Sequence, residues 1–259
     1  MKHLIEKLNK LSLDTFPRTL MLSGEKGCGK KSLIKLIANK LSLESEDITE
    51  NISLELIDFI VQRPVPKIYV IHTEQLSVRE ENVILKFLEE PLKNSYLILT
   101  TENKHSVLPT VQNRCVVWDF FPYSDEELTE FVTKPAKNLL LVARTPGKIL
   151  EYQDHPIDDM VVLANKIFDF IHTANIANAL SLSSKLAFKH EQDKFDVDIF
   201  FDILNVVSAD RYLKNALNAF EYWRLSNALL KDSKIFNVDK KALFDNYIIS
   251  LRLSNVQKK

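Results

Sequence analysis

A chain of 259 residues with 34 Lys and Arg against 35 Asp and Glu carries a formal charge of −1, so no field of one sign covers it and a general nucleic-acid coat is excluded. Its 46% apolar and 27% charged content is that of an ordinary globular protein, long enough for one large domain or a few small ones. Cys28 and Cys115 lie far apart and make no metal-ligand spacing, which excludes a disulfide framework and predicts reduced thiols.

The opening stretch MKHLIEKLNKLSLD is amphipathic and carries acids, unlike a signal or transit peptide. No apolar run reaches the roughly 18–20 residues of a membrane span, so a cytoplasmic protein is expected. Leu4, Ile5, Leu8 and Leu11 recur at helical spacing and predict a first helix. Leu20, Met21 and Leu22 form a short apolar run that feeds Gly24-Glu25-Lys26-Gly27-Cys28-Gly29-Lys30, followed by an amphipathic stretch to Leu41. Strand, glycine loop and helix in that order are the context of a P-loop, whose backbone N–H groups turn inward around phosphate beside a helix N-terminus. Three of the four glycines in the chain fall in this loop, where positive φ or close backbone approach is wanted.

After that helix, Ile52, Leu54, Leu56, Ile57 and Ile60 suggest another, stopped by Pro64 and Pro66. Lys67–Ile71 is a β-branched run of the buried parallel-strand kind. Ser77-Val78-Arg79-Glu80 is a capping box opening a helix whose apolar face is Val83, Ile84, Phe87 and Leu88. Tyr96–Thr100 and Cys115–Phe120 read as two further strands. Helical runs between strands predict βαβ units and a parallel sheet covered on both faces. Strands stop at Pro122; a second capping box begins at Ser124, and only helical periodicity follows to Lys259. The polar stretch Asp154–Asp159 is the best boundary in that half. The expected organisation is an α/β nucleotide-fold domain over 1–121, a small helical domain over 122–155 and an all-helical domain over 156–259.

The loop is degenerate. The pattern G-x-x-x-x-G-K-[ST] holds through Lys30, but Lys31 stands where a hydroxyl normally holds Mg²⁺. Ser32 is one residue on, turned about 100° away on a helix. A P-loop enzyme also needs an Asp, and in many families a following Glu, at the end of a neighbouring strand. Here the strand ends in His72-Thr73-Glu74. Neutral imidazole is a poor ligand for a hard cation, and a threonine hydroxyl is no general base near neutral pH. Glu74 comes two positions late. Gly24, Gly27, Gly29, Lys30 and Ser32 are therefore candidate phosphate contacts of a loop expected not to hydrolyse nucleotide, with ATP or ADP binding left open. No metal site is expected. Cys28 is either a thiol whose pKa is lowered by nearby N–H groups or a plain small loop residue. Glu89-Glu90 is read as a polar helix end, since helical neighbours diverge by about 100°. His105, His172 and His190 are read as surface residues, and Phe200, Phe201, Leu204 and Val207 as helix core.

The stretches RTLMLSGEKGCGKKSLIKLIA, KIYVIHTEQLS, NVILKFLEEP (82–91), PTVQNRC (109–115) and the tail NVDKKALFDNYIISLRL (237–253) resemble the clamp-loader branch of the AAA+ proteins. Within it they are most similar to the delta-prime family of bacterial DNA polymerase III. The resemblance implies a P-loop AAA+ parallel-sheet domain, a small helical lid domain and an all-helical C-terminal collar domain. It implies a platform subunit in a hetero-pentamer with gamma/tau-like ATPase and delta-like subunits, acting on a sliding clamp and primer-template DNA. It also implies that Arg114, in Asn113-Arg114-Cys115 where the family has Ser-Arg-Cys, is an arginine finger entering a neighbour's ATP site. Without the resemblance, an intramolecular salt bridge from Arg114 to Glu89 or Glu90 is the plain alternative. Many relatives carry a four-cysteine zinc module between the P-loop helix and the next strand; no cysteine lies between Leu41 and Ile68, so no zinc is expected. The family's sensor arginine has no clear match near Gly147, where Arg144 and Lys148 are the nearest cations. A catalytically active gamma/tau-type ATPase is the alternative reading.

Overall fold

The computed structural model describes residues 1–12, 14–48, 52–53, 66–89, 95–171, 177–178, 181, 195–214, 219–234 and 238–256. The chain falls into two compact units, 1–123 with 145–147, and 124–144 with 148–259.

The first unit is built on a five-stranded sheet. Its strands are β1 (Thr19–Ser23), β2 (Ser45–Ile48), β3 (Ile68–His72), β4 (Tyr96–Thr101) and β5 (Val116–Asp119). They lie in the order β2-β3-β4-β1-β5, and every pairing is parallel. Parallel neighbours need crossovers, and α2 (Lys30–Leu41), α3 (Val78–Glu89) and the short α4 (Pro109–Gln112) lie between successive strands, after the N-terminal α1 (Lys2–Lys10). β1, β3 and β4 are buried along almost their whole length, which is why each reads as a continuous apolar run rather than an alternating one. β2 differs: Ser45, Glu46 and Asp47 are exposed on an edge strand, so no apolar signal marks it.

Ile84 and Leu88, one helical turn apart on α3, pack with Met21, Ile71, Leu97 and Leu99 of the sheet and with Val107 and Val111 beyond it. Each such side chain contributes about 1.5–3 kcal/mol by leaving water. Ser77 and Glu80 form the expected cap at the start of α3: Ser77 N–H donates to Glu80 Oε2 at 2.8 Å and Glu80 N–H to Ser77 Oγ at 3.3 Å. Trp118 on β5 is 1% exposed, with Phe16 edge-on at 6.2 Å and Lys7 Nζ 5.1 Å from its ring centroid. Of the helix expected over 52–60, Ile52 and Ser53 are not helical and 54–60 lie outside the described residues, as do Glu90, His172 and His190. His105 is exposed, as expected.

In the second unit the described elements are α5 (Asp125–Thr129), α6 (Leu139–Val142), α7 (Pro146–Tyr152, whose first two residues group with the first unit), α8 (Ile157–Phe170), α9 (Val197–Leu213), α10 (Ala219–Asp232) and α11 (Lys240–Val256). The α9 helix is its centre, touching α6, α8 and α10. Buried Ile199, Phe200, Phe201, Ile203, Leu204 and Val207 cover most of its circumference, the pattern of a helix enclosed by others. Asp196 opens it by accepting from the N–H groups of Asp198 and Ile199. Phe244 lies 5.9 Å from Phe201 in a stacked arrangement and 6.2 Å from Phe200. Trp223 on α10 is half-buried and stacks on Tyr212 at 6.1 Å. Ser124 and Glu127 complete the second capping box at α5. Among the described residues no helix is long and apolar enough to cross a membrane.

Candidate functional site

Strand β1 delivers the chain at Ser23 into the glycine loop, and α2 carries it away from Lys30. The sharp turn is made by Gly27 at φ 81° and Gly29 at φ 104°, left-handed conformations that a side chain resists. Gly24 serves a different need. A Cβ there would lie 2.6 Å from Phe120 Cβ and 3.0 Å from Cys28 Sγ. Gly147, which falls in the helical half of the sequence, packs against the same loop: a Cβ on it would lie 2.6 Å from Gly27 Cα. All four glycines of the chain thus meet at one place.

The loop's carbonyls are spoken for. Lys30 Nζ donates to Gly24 O, and to Glu25 O at 3.2 Å. Thr145 Oγ1 donates to Lys26 O at 3.0 Å, Gly147 N–H to Gly27 O at 2.9 Å, and Tyr123 OH to Cys28 O at 2.7 Å. Two N–H groups are also used inside the fold, Gly24 to Thr101 O at 3.0 Å and Cys28 to Glu25 O at 3.2 Å. The cradle therefore keeps its shape through its own bonds, with Lys30 folded over it. Lys31 and Ser32 are both exposed at the start of α2.

At the end of β3, where a hydrolytic site needs carboxylates, the side chains serve the sheet. His72 Nδ1 lies 2.7 Å from Thr100 Oγ1, and its Nε2 4.0 Å from Asp47 Oδ2. Thr73 is buried and donates to Thr100 O at 3.1 Å. Glu74 accepts from the Glu102 N–H. These residues do not fit Mg²⁺: a cation at Lys31, an imidazole and a buried hydroxyl stand where hard oxygen ligands are required. Among the described residues no group of three or more His, Cys, Asp or Glu could hold a metal ion.

The nearest candidate sensor cations are engaged elsewhere. Arg144 Nη1 binds Asp125 Oδ1 at 2.6 Å, and Lys148 Nζ binds Asp202 Oδ2 at 2.9 Å. Tyr152 OH also donates to Asp202, and burial together with that carboxylate pushes the phenol pKa far up.

Of the two readings of Cys28, the plain one holds. Burial pushes its thiol up, against the opposing pull of the Lys30 charge. Burial also pushes Cys115 up to about 12. At pH 8 a thiol with that pKa is thiolate in only about one molecule in 10⁴. Iodoacetamide at pH 8 is expected to leave Cys115 unmodified in the folded protein and to modify both cysteines in urea, read by intact mass.

Arg114 lies away from the loop. Thr19 Oγ1, at the first residue of β1, donates to Arg114 O at 2.7 Å, and Leu20 pairs with Val116. The phosphate loop leaves the other end of β1, about 13 Å along the strand at 3.3 Å per residue. In a parallel sheet these are opposite ends of the strands, so Arg114 cannot serve its own loop. Its side chain is 38% exposed; Nη2 binds Glu89 Oε1 at 2.7 Å and Nη1 donates to Thr110 O at 3.0 Å. The intramolecular pair with Glu89 is thus present, and Glu89 at the last turn of α3 has a specific partner.

With the P-loop at one end of β1 and the arginine segment at the other, the chain can be set beside known proteins. Residues 48–124 match the family model described as DNA polymerase III, delta subunit. The chain is 35% identical over 65 residues to the DNA polymerase III subunit delta' of Haemophilus influenzae, 25% of this chain and 20% of that protein. A match of the same identity and extent is made to the delta' subunit of Bacillus subtilis.

Over residues 48–124 the chain is similar to the DNA polymerase III delta family.

Kinship inside the family is shared. The DNA polymerase III subunit gamma of Buchnera aphidicola is 25% identical over 166 residues, 51% of this chain and 46% of that protein. The matched regions span less than half the length of these curated relatives. Among solved structures, a DNA polymerase III gamma subunit-related protein from Thermotoga maritima aligns over 98% of this chain and 99% of its own, at 16% identity and TM-score 0.53. The RuvB Holliday junction branch migration motor of Thermotoga maritima aligns over 98% and 87%, at TM-score 0.52. At that identity the likeness is one of fold, and the fold is the α/β P-loop fold expected from the sequence.

Proposed function

We propose that this chain is a delta-prime-like subunit of the DNA polymerase III clamp loader. In this reading it is a platform that does not hydrolyse ATP and supplies Arg114 in trans to a neighbouring ATPase subunit while the assembly places a sliding clamp on primer-template DNA. The observation that carries the reading is the position of Arg114: exposed, and at the end of the strands opposite its own phosphate loop, where another polypeptide can present a nucleotide to it. A guanidinium set against a γ-phosphate stabilises charge in the transition state. The losses at Lys31, His72 and Thr73 support the other half of the reading, since among the described residues none of these three supplies the metal ligand or the general base that hydrolysis needs.

Residues 122–155 act here as the lid and 156–259 as the collar that joins gamma/tau-like and delta-like partners in a hetero-pentamer. The chain requires no cofactor of its own and no zinc. ATP or ADP held at Gly24, Gly27, Gly29, Lys30 and Ser32 would be a structural passenger. The gamma-type ATPase is the competing reading, favoured by the longer match to gamma subunits.

Mg²⁺-dependent ATP turnover by the purified chain separates the two. No turnover above background is expected. Clear turnover that Lys30→Ala abolishes would establish the gamma-type enzyme instead.

A further inference from the structure

We propose that Glu89 parks Arg114, holding its guanidinium in an intramolecular pair that a neighbouring subunit's phosphate displaces. This rests on the trans role proposed above for Arg114. The backbone at Arg114 is fixed, with its N–H on Val111 O at 3.1 Å and its carbonyl on Thr19 Oγ1 at 2.7 Å. Only the side chain is free to choose. Its present position is set by Glu89 Oε1 at 2.7 Å and Thr110 O at 3.0 Å, which fold it back against α3 and α4.

Both partners reach solvent, at 38% and 55% exposure, so the pair is weak and reversible. A phosphate offers more charge than a carboxylate and the same fork geometry, and it wins the guanidinium when a neighbour brings it within reach. Glu89 itself sits in the last turn of α3, where the helix dipole disfavours an acid. The arginine relieves that cost, which strengthens the parked arrangement. Glu89 is thus a positioning residue: it sets how often Arg114 is available and touches no reacting atom.

The test uses the clamp loader assembled from this chain and its co-expressed partner subunits, with single-turnover ATP hydrolysis measured for wild type, Glu89→Gln, Arg114→Ala and the double variant. Glu89→Gln is expected to speed hydrolysis about twofold to fivefold at low ionic strength, the range for losing an exposed pair. The gain should shrink in high salt, which already screens the wild-type pair. It should vanish in the Arg114→Ala background. A Glu89→Gln rate at or below wild type, beside a slowed Arg114→Ala, overturns the parking role and leaves the arginine's role standing. A gain that survives in the double variant also overturns it, because the effect then bypasses Arg114. An Arg114→Ala rate equal to wild type removes both.

Discussion

Replacing Arg114 by alanine is expected to slow ATP hydrolysis at the neighbouring subunit by about 10³-fold or more, while the complex still assembles. Single-turnover hydrolysis in the reconstituted clamp loader measures the first part, and size-exclusion chromatography the second. The two parts separate because the residue has so little structural work. Its side chain gives up one exposed pair with Glu89 and one bond to Thr110 O, together about 1 kcal/mol or less. The transition-state contact it would make is worth several times that, since it acts on charge that develops as the phosphoryl group transfers. Arg114→Lys keeps a point charge without the planar fork, so it should recover only part of the rate. An unchanged rate for Arg114→Ala would move the arginine's purpose back to the surface of α3.

Gly147→Ala is expected to destabilise the protein by about 1–3 kcal/mol, read as a lower midpoint in urea unfolding followed by circular dichroism. Local propensity argues the other way, because alanine in the first turn of α7 should gain up to about 1 kcal/mol over glycine. Packing decides the sign. The new Cβ would meet backbone, Gly27 Cα at 2.6 Å and Gly27 O at 3.1 Å, and backbone cannot rotate aside. Relief requires breaking the bond from Gly147 N–H to Gly27 O at 2.9 Å, and the neighbouring bond from Thr145 Oγ1 to Lys26 O is drawn with it. A midpoint equal to or above wild type would mean that the loop and the 145–147 segment part without cost.

The central strands are legible because buried parallel strands write themselves as apolar runs: Leu20–Leu22, Lys67–Ile71 and Tyr96–Thr100 fall on β1, β3 and β4 to within a residue or two at each end. β2 was not legible. Ser45, Glu46 and Asp47 pair on an edge and face water, so only the backbone knows they form a strand. The phosphate loop could be read from spacing, and so could the missing hydroxyl and acids. What became of the replacements could not, because the bonds of His72 and Thr73 run to Thr100, 28 and 27 residues away. Gly147 was missed as part of the loop for the same reason: its partner, Gly27, lies far off in the chain, and nothing local distinguishes a glycine that ends a turn from one that admits another backbone. Glu89 carried a visible hint, being one of two acids named as partners for Arg114, but periodicity alone made it a polar helix end.

The two tryptophans fall one to each compact unit, Trp118 in the first and Trp223 in the second. Their surroundings differ: one indole is enclosed beside Phe16 with a lysine over its ring, the other is half in water against Tyr212. Intrinsic emission therefore comes in two colours, a bluer one from the sheet and a redder one from the helices. Without any label, a Trp223→Phe chain would let the melting of the nucleotide-fold half be watched alone, and a Trp118→Phe chain the melting of the other.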